Sequence, residues 1–204
     1  MVADPKPSKR IRMKPDDRRA AILAAAERCF AERGFYATTV QDIASAAGVT
    51  AGALYRYFPG KDAIVTAIIA ASHDDVLAAY AAMPSDGGFI DGLINLFDDL
   101  IDTPPDRQSV AVFSEVVAES FRNAAVREAL HASESELDAW ITRRIGEEQD
   151  RNRLSVDLDP QAVTLVLTAL FDGLILRAGV KGAADANAVR AVVTRMIRAI
   201  ETAQ

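Results

Sequence analysis

The fold of this chain is decided by residues 39–61, which read TVQDIASAAGVTAGALYRYFPGK. Thr39 and Asp42 have the three-residue spacing of a capping box, which predicts the start of a short helix. Gly48 then supplies a turn, and Thr50 is a preferred N-cap for a second short helix that a Pro-Gly pair ends. Two short helices that meet at a glycine turn have the layout of a helix-turn-helix, which places its second helix in the major groove of DNA.

The phase of the second helix separates an inward face from an outward one. If Leu54 points inward, a step of 100° per residue puts Phe58 on the same side, with Ala51 and Tyr57 on the flanks. The outward half then carries small residues together with Tyr and Arg; its members are Gly52, Ala53, Tyr55 and Arg56. Small residues allow the helix axis to approach base edges closely, so this face is predicted to meet the groove.

Each polar group of the segment has a candidate role in DNA binding. Ala51 or Ala53 could contact a thymine methyl group, and Arg56 could bind guanine O6/N7 or a phosphate. Phosphate contacts are expected from hydroxyl, ammonium and helix-end amide groups, and the candidates are Thr39, Tyr55, Tyr57 and Lys61. Gln41 could reach a base edge. An amphipathic helical hairpin that binds nothing is the alternative interpretation of the same pattern.

Charge is distributed unevenly along the 204 residues, whose net charge is −6. Residues 1–61 carry 11 Lys and Arg against 6 Asp and Glu, whereas residues 62–204 carry 12 against 23. A basic head on an acidic body suits a protein that approaches phosphate with one end. Residues 1–14 are basic and proline-containing, and we expect a disordered arm that either follows the DNA backbone or is only a solvated tail.

Composition narrows the class of protein. A single cysteine, Cys29, excludes an internal disulfide and indicates a reducing, cytoplasmic location. No signal peptide is visible, and the longest apolar run, residues 162–175, is interrupted by Asp172 and too short for a membrane span. There is no Gly-rich phosphate loop, no G-x-S-x-G and no paired-His motif, so we expect neither an enzyme nor a cofactor. His73 and His131 are isolated, which disfavours a metal site.

Helical periodicity continues through the rest of the chain. A first helix is expected from about Asp16 to Gly34, and further helices over about 61–83, 89–101, 108–121, 125–149, 160–178 and 189–200. No hairpin signal and no internal repeat is present. The prediction is an all-α protein of about nine helices, with a helix-turn-helix domain at 15–60 and a larger helical domain at 61–204.

The segment RRAAILAAAERCFAERGFYATTVQDIASAAGVTAGALYRYFPGKDAIV, residues 18–65, resembles the N-terminal domain of the TetR family of bacterial transcription regulators. Its G-[FY]-x-x-T-T-V, A-x-x-A-G-V and LYxYFPxK elements carry the resemblance. VDLDPQAVTLVLTALFDGLIL, residues 156–176, is similar to the family's dimerisation helix.

The resemblance implies a three-helix DNA-binding domain on a helical ligand-binding domain, and a homodimer joined by its last two helices. It also implies a repressor that leaves a palindromic operator when an unidentified small molecule binds. Carried over by position, the phosphate contacts match Thr39, Thr50, Tyr55, Tyr57 and Lys61. Positions near bases match Gln41, Ala51, Gly52 and Arg56. Ala51 replaces a residue that can hydrogen-bond in many relatives, so the operator sequence is not predicted.

Candidate ligand contacts are apolar side chains of the central helices, because pockets in helical bundles are mostly apolar. They are Phe97, Phe113, Val117, Phe121 and Trp140, each of which could equally be plain core. Glu115 and Glu119 are spaced four residues apart; on a solvated face they have no ligand role, whereas inward they would favour a cationic ligand. A second function remains open, a helical dimer that acts through protein contacts and has a non-functional DNA-binding head.

Overall fold

The computed structural model describes residues 14–83, 88–181 and 185–201. This part of the chain forms α-helices and no extended sheet, with one isolated bridge between Leu154 and Glu201. The helices are α1 Pro15–Ala37, α2 Val40–Ala46, α3 Ala51–Tyr55, α4 Lys61–Ala81, α5 Phe89–Asp102, α6 Arg107–Ser120, α7 Ala124–Asp150, α8 Pro160–Lys181 and α9 Ala186–Arg198. The predicted all-α fold is confirmed. The predicted N-terminal arm lies outside the described residues except for Lys14.

Gly34 breaks α1 into a long helix before it and a short helical turn after it. Its backbone is non-helical, with φ 76° and ψ 165°, and the chain returns to helical geometry up to Ala37. A positive φ is readily adopted only by glycine, which explains the residue at this kink. The kink turns Phe35 inward, where its ring lies 5.5 Å from that of Phe30. The predicted stop at Gly34 agrees with this break, and a short helical turn then leads to Ala37.

The helix-turn-helix shares its hydrophobic core with the body. Buried residues of α1 to α4, among them Ile22, Ile43 and Leu54, form one cluster. This head cluster also contains Val112 and Val116 of α6 and Val126 of α7. α1 packs directly against α6 as well as α2. The helix-turn-helix therefore packs on α6 and α7, two helices that come much later in the chain.

A second cluster holds the distal part of the body together. It joins α5, α7, α8 and α9 around fully buried Phe89, Phe97 and Ile141. Trp140 packs edge-on against Tyr80, with ring centroids 5.4 Å apart. α7 connects the two clusters because it spans both along its 27 residues.

α8 begins as the sequence predicts and ends later. The Asp159 carboxylate accepts hydrogen bonds from the backbone N–H groups of Gln161 and Ala162 at 2.7 and 3.2 Å, and Pro160 occupies the first turn. The predicted break at 179–185 is wrong at its start, since the helix continues to Lys181. A single glycine in a helix interior costs only about 1 kcal/mol, so Gly179 does not by itself end the helix.

An exposed apolar face runs along α8 and α9. Leu165 and Val166 of α8 are 66% and 58% exposed, and Val192 of α9 is 59% exposed. Over the part of the chain that is described, α4 and residues 160–178 are each long and apolar enough to cross a membrane, by length and composition only. Such a test also selects apolar helices of proteins that never enter a membrane. The exposed apolar face of α8 can instead be covered by contact with a second protein surface.

Candidate DNA-binding surface and ligand cavity

α2 is held at its start by a reciprocal cap. The Thr39 hydroxyl accepts a hydrogen bond from the Asp42 backbone N–H at 3.1 Å, and the Asp42 carboxylate accepts from the Thr39 backbone N–H at 2.8 Å. The Thr39 hydroxyl also donates to this carboxylate at 2.5 Å. These bonds, together with Arg33 at 3.2 Å, lower the pKa of Asp42 below its ordinary value. The predicted capping box is confirmed, and it fixes the angle at which α2 leaves the turn after α1.

α3 is capped by Thr50, whose hydroxyl accepts from the Ala53 backbone N–H at 3.1 Å. Leu54 is fully buried and Phe58 is 3% exposed, as the helical phase predicts. Gly48 has φ +67° and forms the turn between α2 and α3. α3 is therefore held to the head cluster by its inward face and by its cap.

The opposite face of α3 is open to solvent. Gly52 and Arg56 are exposed, and Tyr55 is 54% exposed. A Cβ atom added at Gly52 would meet no atom within 4 Å. The remaining predicted DNA contacts on this segment divide into the exposed Thr39, Gln41 and Thr50 and the half-buried Ala51, Ala53 and Tyr57. Ala51 and Tyr57 also pack against the head cluster.

Lys61 has a structural partner that sequence analysis did not foresee. Its ammonium group donates to the Phe35 carbonyl oxygen at 2.6 Å and lies 4.3 Å from the centre of the Phe35 ring. An ammonium group has three donors, so this bond leaves capacity for a phosphate oxygen. Lys61 thus ties the start of α4 to the end of α1, beside the surface where DNA is expected.

A cavity of about 620 Å³ lies in the body between α4, α6, α7 and α8, with one residue from α1. Its apolar lining includes Ile68, Ile69, Val112, Phe113 and Leu137. The volume falls within the usual range for small-molecule sites. One side of the cavity is therefore the same stretch of α6 that supports the head cluster.

The charged lining of this cavity is acidic, and neutral polar groups such as Gln108, Ser109 and Thr168 lie beside it. It contains the carboxylates Glu27, Asp75, Glu134, Asp138 and Asp172 and one imidazole, His73. Burial raises the pKa of Glu27, Glu134, Asp138 and Asp172, and the charge of Asp138 raises that of Asp172 further. The His73 imidazole is directed at Glu136, with Nε2 3.1 Å from a carboxylate oxygen.

The five predicted ligand contacts are scattered. Phe113 lines the cavity. Phe97 is 2% exposed in the distal cluster, where Trp140 also packs. Val117 is half-buried outside the cavity lining, and Phe121 is 78% exposed at the end of α6. Sequence reasoning selected large apolar residues, and most of those belong to the core or the surface, whereas the acidic residues that distinguish the cavity were missed.

Glu115 and Glu119 lie on neither a solvated face nor the cavity wall. Glu115 is half-buried, and its Oε2 accepts a hydrogen bond from the Phe35 backbone N–H at 2.8 Å. Glu119 is 4% exposed, and one of its carboxylate oxygens lies 3.7 Å from Arg122. The interpretation of a solvated face is corrected: both side chains point toward the junction of head and body.

Comparison with known families decides the assignment. The family model described as bacterial regulatory proteins, tetR family, matches residues 22–68. The model described as BetI-type transcriptional repressor, C-terminal, matches residues 90–201, which is more than half of the chain. The chain belongs to the TetR family. Its relatives are transcriptional regulators, so the predicted function as a DNA-binding regulator is supported and the non-functional head is not favoured.

Individual TetR-family proteins match over most of their length. The HTH-type transcriptional repressor Rv1474c of Mycobacterium tuberculosis is 29% identical over 78% of this chain and 81% of its own. The structure of Salmonella enterica GusR superposes with a TM-score of 0.81 at 26% identity, covering 92% of this chain and 97% of GusR. A transcriptional regulator from Saccharomonospora viridis, crystallised in complex with choline, has the same fold, with a TM-score of 0.74 at 24% identity over 93% of this chain and all of that one.

Proposed function

We propose that this TetR-family chain is a cytoplasmic, homodimeric repressor that binds a palindromic operator and is released by a small organic ligand. The exposed face of α3 is the observation that carries the proposal. Gly52, Tyr55 and Arg56 project from a helix whose opposite side is fully buried, and a solvated helix has no need of small and aromatic residues at these positions.

Specific roles follow from the chemistry of that face. Arg56 reads a base or holds a phosphate, and Gly52 allows the helix axis to approach the base edges. The hydroxyl groups of Tyr55 and Tyr57 donate to phosphate oxygens, and the Lys61 ammonium adds a cation. Because the hydroxyl and the N–H group of Thr39 are already engaged with Asp42, the phosphate donors at this helix start are the backbone N–H groups of Val40 and Gln41.

The exposed apolar face of α8 and α9 is the proposed dimer interface. Leu165, Val166 and Leu176 of α8 and Val192 and Met196 of α9 are all more than a third exposed. Two copies related by a two-fold axis would bury this face in a four-helix bundle. The same axis would place two α3 helices on successive major grooves, which requires an operator with palindromic half-sites.

The cavity is the proposed ligand site. It is bordered by α6, and α6 contacts α1 of the head. A ligand that binds better to one orientation of α6 would therefore change the population of head positions that fit the operator. The S. viridis regulator, whose crystals hold choline, suggests that a body of this shape accommodates a small organic molecule.

The decisive experiment measures binding of the protein to the DNA that flanks its own gene, with palindromic segments compared to scrambled ones. Fluorescence anisotropy over a range of salt concentrations should show steep loss of affinity, since each neutralised phosphate adds about −0.9 to the slope of log K against log salt. Arg56→Ala should alter sequence preference, and Tyr55→Phe should weaken binding to all sequences alike.

Arg143→Ala is the matched control for Arg56→Ala. Arg143 is an exposed arginine of α7, so the variant removes the same charge away from the proposed surface and should bind operator normally. Binding that is insensitive to salt, or equally affected by both variants, would instead favour a protein-interaction module.

A further inference from the structure

The charged groups that line the cavity are carboxylates and one imidazole, His73. None of the residues described as lining it is Lys or Arg. Glu134 and Asp138 lie on α7 and Asp172 lies on α8, two helices that pack against each other beside the cavity. Within the described part of the chain, no hydrogen bond or ion pair joins these three side chains to another residue. Glu134 and Asp172 are exposed and Asp138 is half-buried, so the three carboxylates stand on the side of the cavity that is open to water. This cavity holds them without partners.

The mutual repulsion of these carboxylates helps to raise the pKa of two of them, Asp172 and Glu134. The pKa of Asp172 is raised by burial and by the charge of Asp138. The pKa of Glu134 is raised by burial and by both of these aspartates, and the charge of His131 opposes this rise only in part. A positive charge placed among the three groups would remove this penalty. The cavity is thus electrostatically prepared for a cation in the state that the structure records.

The cation is organic and not a bare metal ion. In the described part of the chain no group of three His, Cys, Asp or Glu side chains has metal-binding geometry. A space of about 620 Å³ is also far larger than an ion needs. Ile68, Val112 and Leu137 provide an apolar wall for a hydrocarbon portion, and the ring of Phe113 can face a cationic group.

We propose that the cavity binds an organic cation, with its ammonium group among Glu134, Asp138 and Asp172 and its apolar part against α4 and α6. The proposal rests on the function proposed above, in which this cavity is the ligand site, and it assigns the chemical class of the ligand. His73 is directed at Glu136, and His131 offsets part of the charge repulsion at Glu134.

The test uses the full-length protein and matched pairs of small molecules in isothermal titration calorimetry. Choline and benzyltrimethylammonium represent quaternary cations, benzylamine represents a protonated amine, and 3,3-dimethyl-1-butanol is the uncharged isostere of choline. At least one cation should bind and the uncharged isostere should not. Comparison of the two quaternary compounds with benzylamine shows whether the cavity prefers a quaternary cation or a protonated amine.

Variants then locate the site. Glu134→Gln combined with Asp172→Asn should weaken the binding cation by about tenfold or more, which corresponds to about 1.4 kcal/mol. The melting temperature of the free variant should not fall, because repulsion is removed. Glu128→Gln, an exposed change on the same helix as Glu134, is the control and should bind as the parent does.

Two results would overturn the cationic ligand without overturning the function proposed above. Binding of the uncharged isostere with equal affinity, unchanged in the double variant, overturns the cationic ligand and leaves the cavity as a ligand site. Failure of every cation to bind at millimolar concentration also overturns it. Operator binding is measured independently, so loss of the DNA-binding function would be recognised by itself.

Discussion

The Glu115 carboxylate accepts a hydrogen bond from the backbone N–H of Phe35 at 2.8 Å, across 80 residues of sequence. The carbonyl oxygen of Phe35 in turn accepts a hydrogen bond from the Lys61 ammonium group at 2.6 Å. Phe35 follows the kink of α1, and Glu115 lies on α6 between Val112 and Val116, which line the cavity. This contact therefore joins α6, which forms one wall of the cavity, to the end of α1 in the helix-turn-helix head.

Glu115→Ala should uncouple ligand from DNA. The variant keeps the cavity lining and the α3 surface, so ligand affinity and operator affinity measured separately should change little. The ligand-induced loss of operator affinity should shrink by about 0.5–2 kcal/mol, the range seen for residues that transmit coupling. Anisotropy titrations of operator with and without saturating ligand measure this difference. Glu128→Ala is the control, and unchanged release in Glu115→Ala would contradict the role of this contact.

Gly34→Ala should destabilise the fold. Gly34 has φ +76°, and an added Cβ would lie 3.3 Å from the Glu115 carboxylate oxygen. Backbone strain of this kind costs about 1–3 kcal/mol, and displacement of Glu115 would add to it. Denaturant unfolding measures the loss. Gly146→Ala is the matched control: Gly146 lies within α7, no atom would be within 4 Å of its Cβ, and the change should stabilise the protein by about 0.5–1 kcal/mol.

Gly52→Ala should separate folding from DNA binding. Gly52 is in α3 with open space around its Cβ position, so a helix-favouring alanine should leave stability unchanged or raise it by up to about 1 kcal/mol. In the complex that space is occupied by DNA, and the methyl group should weaken operator binding by about 1 kcal/mol or more. Thermal unfolding and anisotropy are compared on the same sample. Undiminished operator binding would place the groove contact elsewhere on α3.

Asp172→Asn should stabilise the free protein at neutral pH. The raised pKa of Asp172 means that the folded state binds its proton more readily than the unfolded chain. This contribution is present below the ordinary Asp pKa and is lost as the pH rises through the folded-state pKa. The parent should consequently be the less stable protein at pH 7, by ~1–2 °C in melting temperature because solvent screens the group. At pH below the ordinary Asp pKa of about 3.9 the difference should vanish.

Val192→Glu should dissociate the dimer. Val192 is 59% exposed on the apolar face of α9, and a buried unpaired carboxylate at an interface costs several kcal/mol. Analytical ultracentrifugation at micromolar concentration should show a monomer with an unchanged circular dichroism spectrum. Operator affinity should fall in parallel, since two half-sites are no longer bound together. Ala191→Glu is the charge control and should remain dimeric, because Ala191 is exposed on the same helix but is turned about 100° away from Val192.

Much of the fold could be predicted from local chemistry. Thr39, Thr50 and Asp159 are N-cap residues with partners two or three positions away, so their helices could be located from the sequence. The phase of α3 also followed from a local rule, because burial of Leu54 fixes where Phe58 lies. These features need no knowledge of distant parts of the chain.

The contacts that the sequence did not reveal are those between distant segments. Glu115 and Lys61 both bind the backbone of Phe35, and a backbone partner leaves no mark in the sequence. The acidic cavity was missed for a related reason: Glu134, Asp138 and Asp172 look like ordinary solvated residues until α7 and α8 are brought together. The predicted ligand contacts were instead large apolar residues such as Phe97 and Trp140, and these two pack in the distal cluster.

The head cluster includes Val112, Val116 and Val126 of the body, and this has a consequence for protein engineering. A segment limited to residues 14–60 would lose these three side chains and expose the apolar surface that they cover. A chimera in which this helix-turn-helix replaces that of another family member must therefore also carry compatible residues of α6 and α7. Specificity for DNA can be exchanged at the surface of α3, but the module that can be exchanged as a unit is discontinuous in sequence.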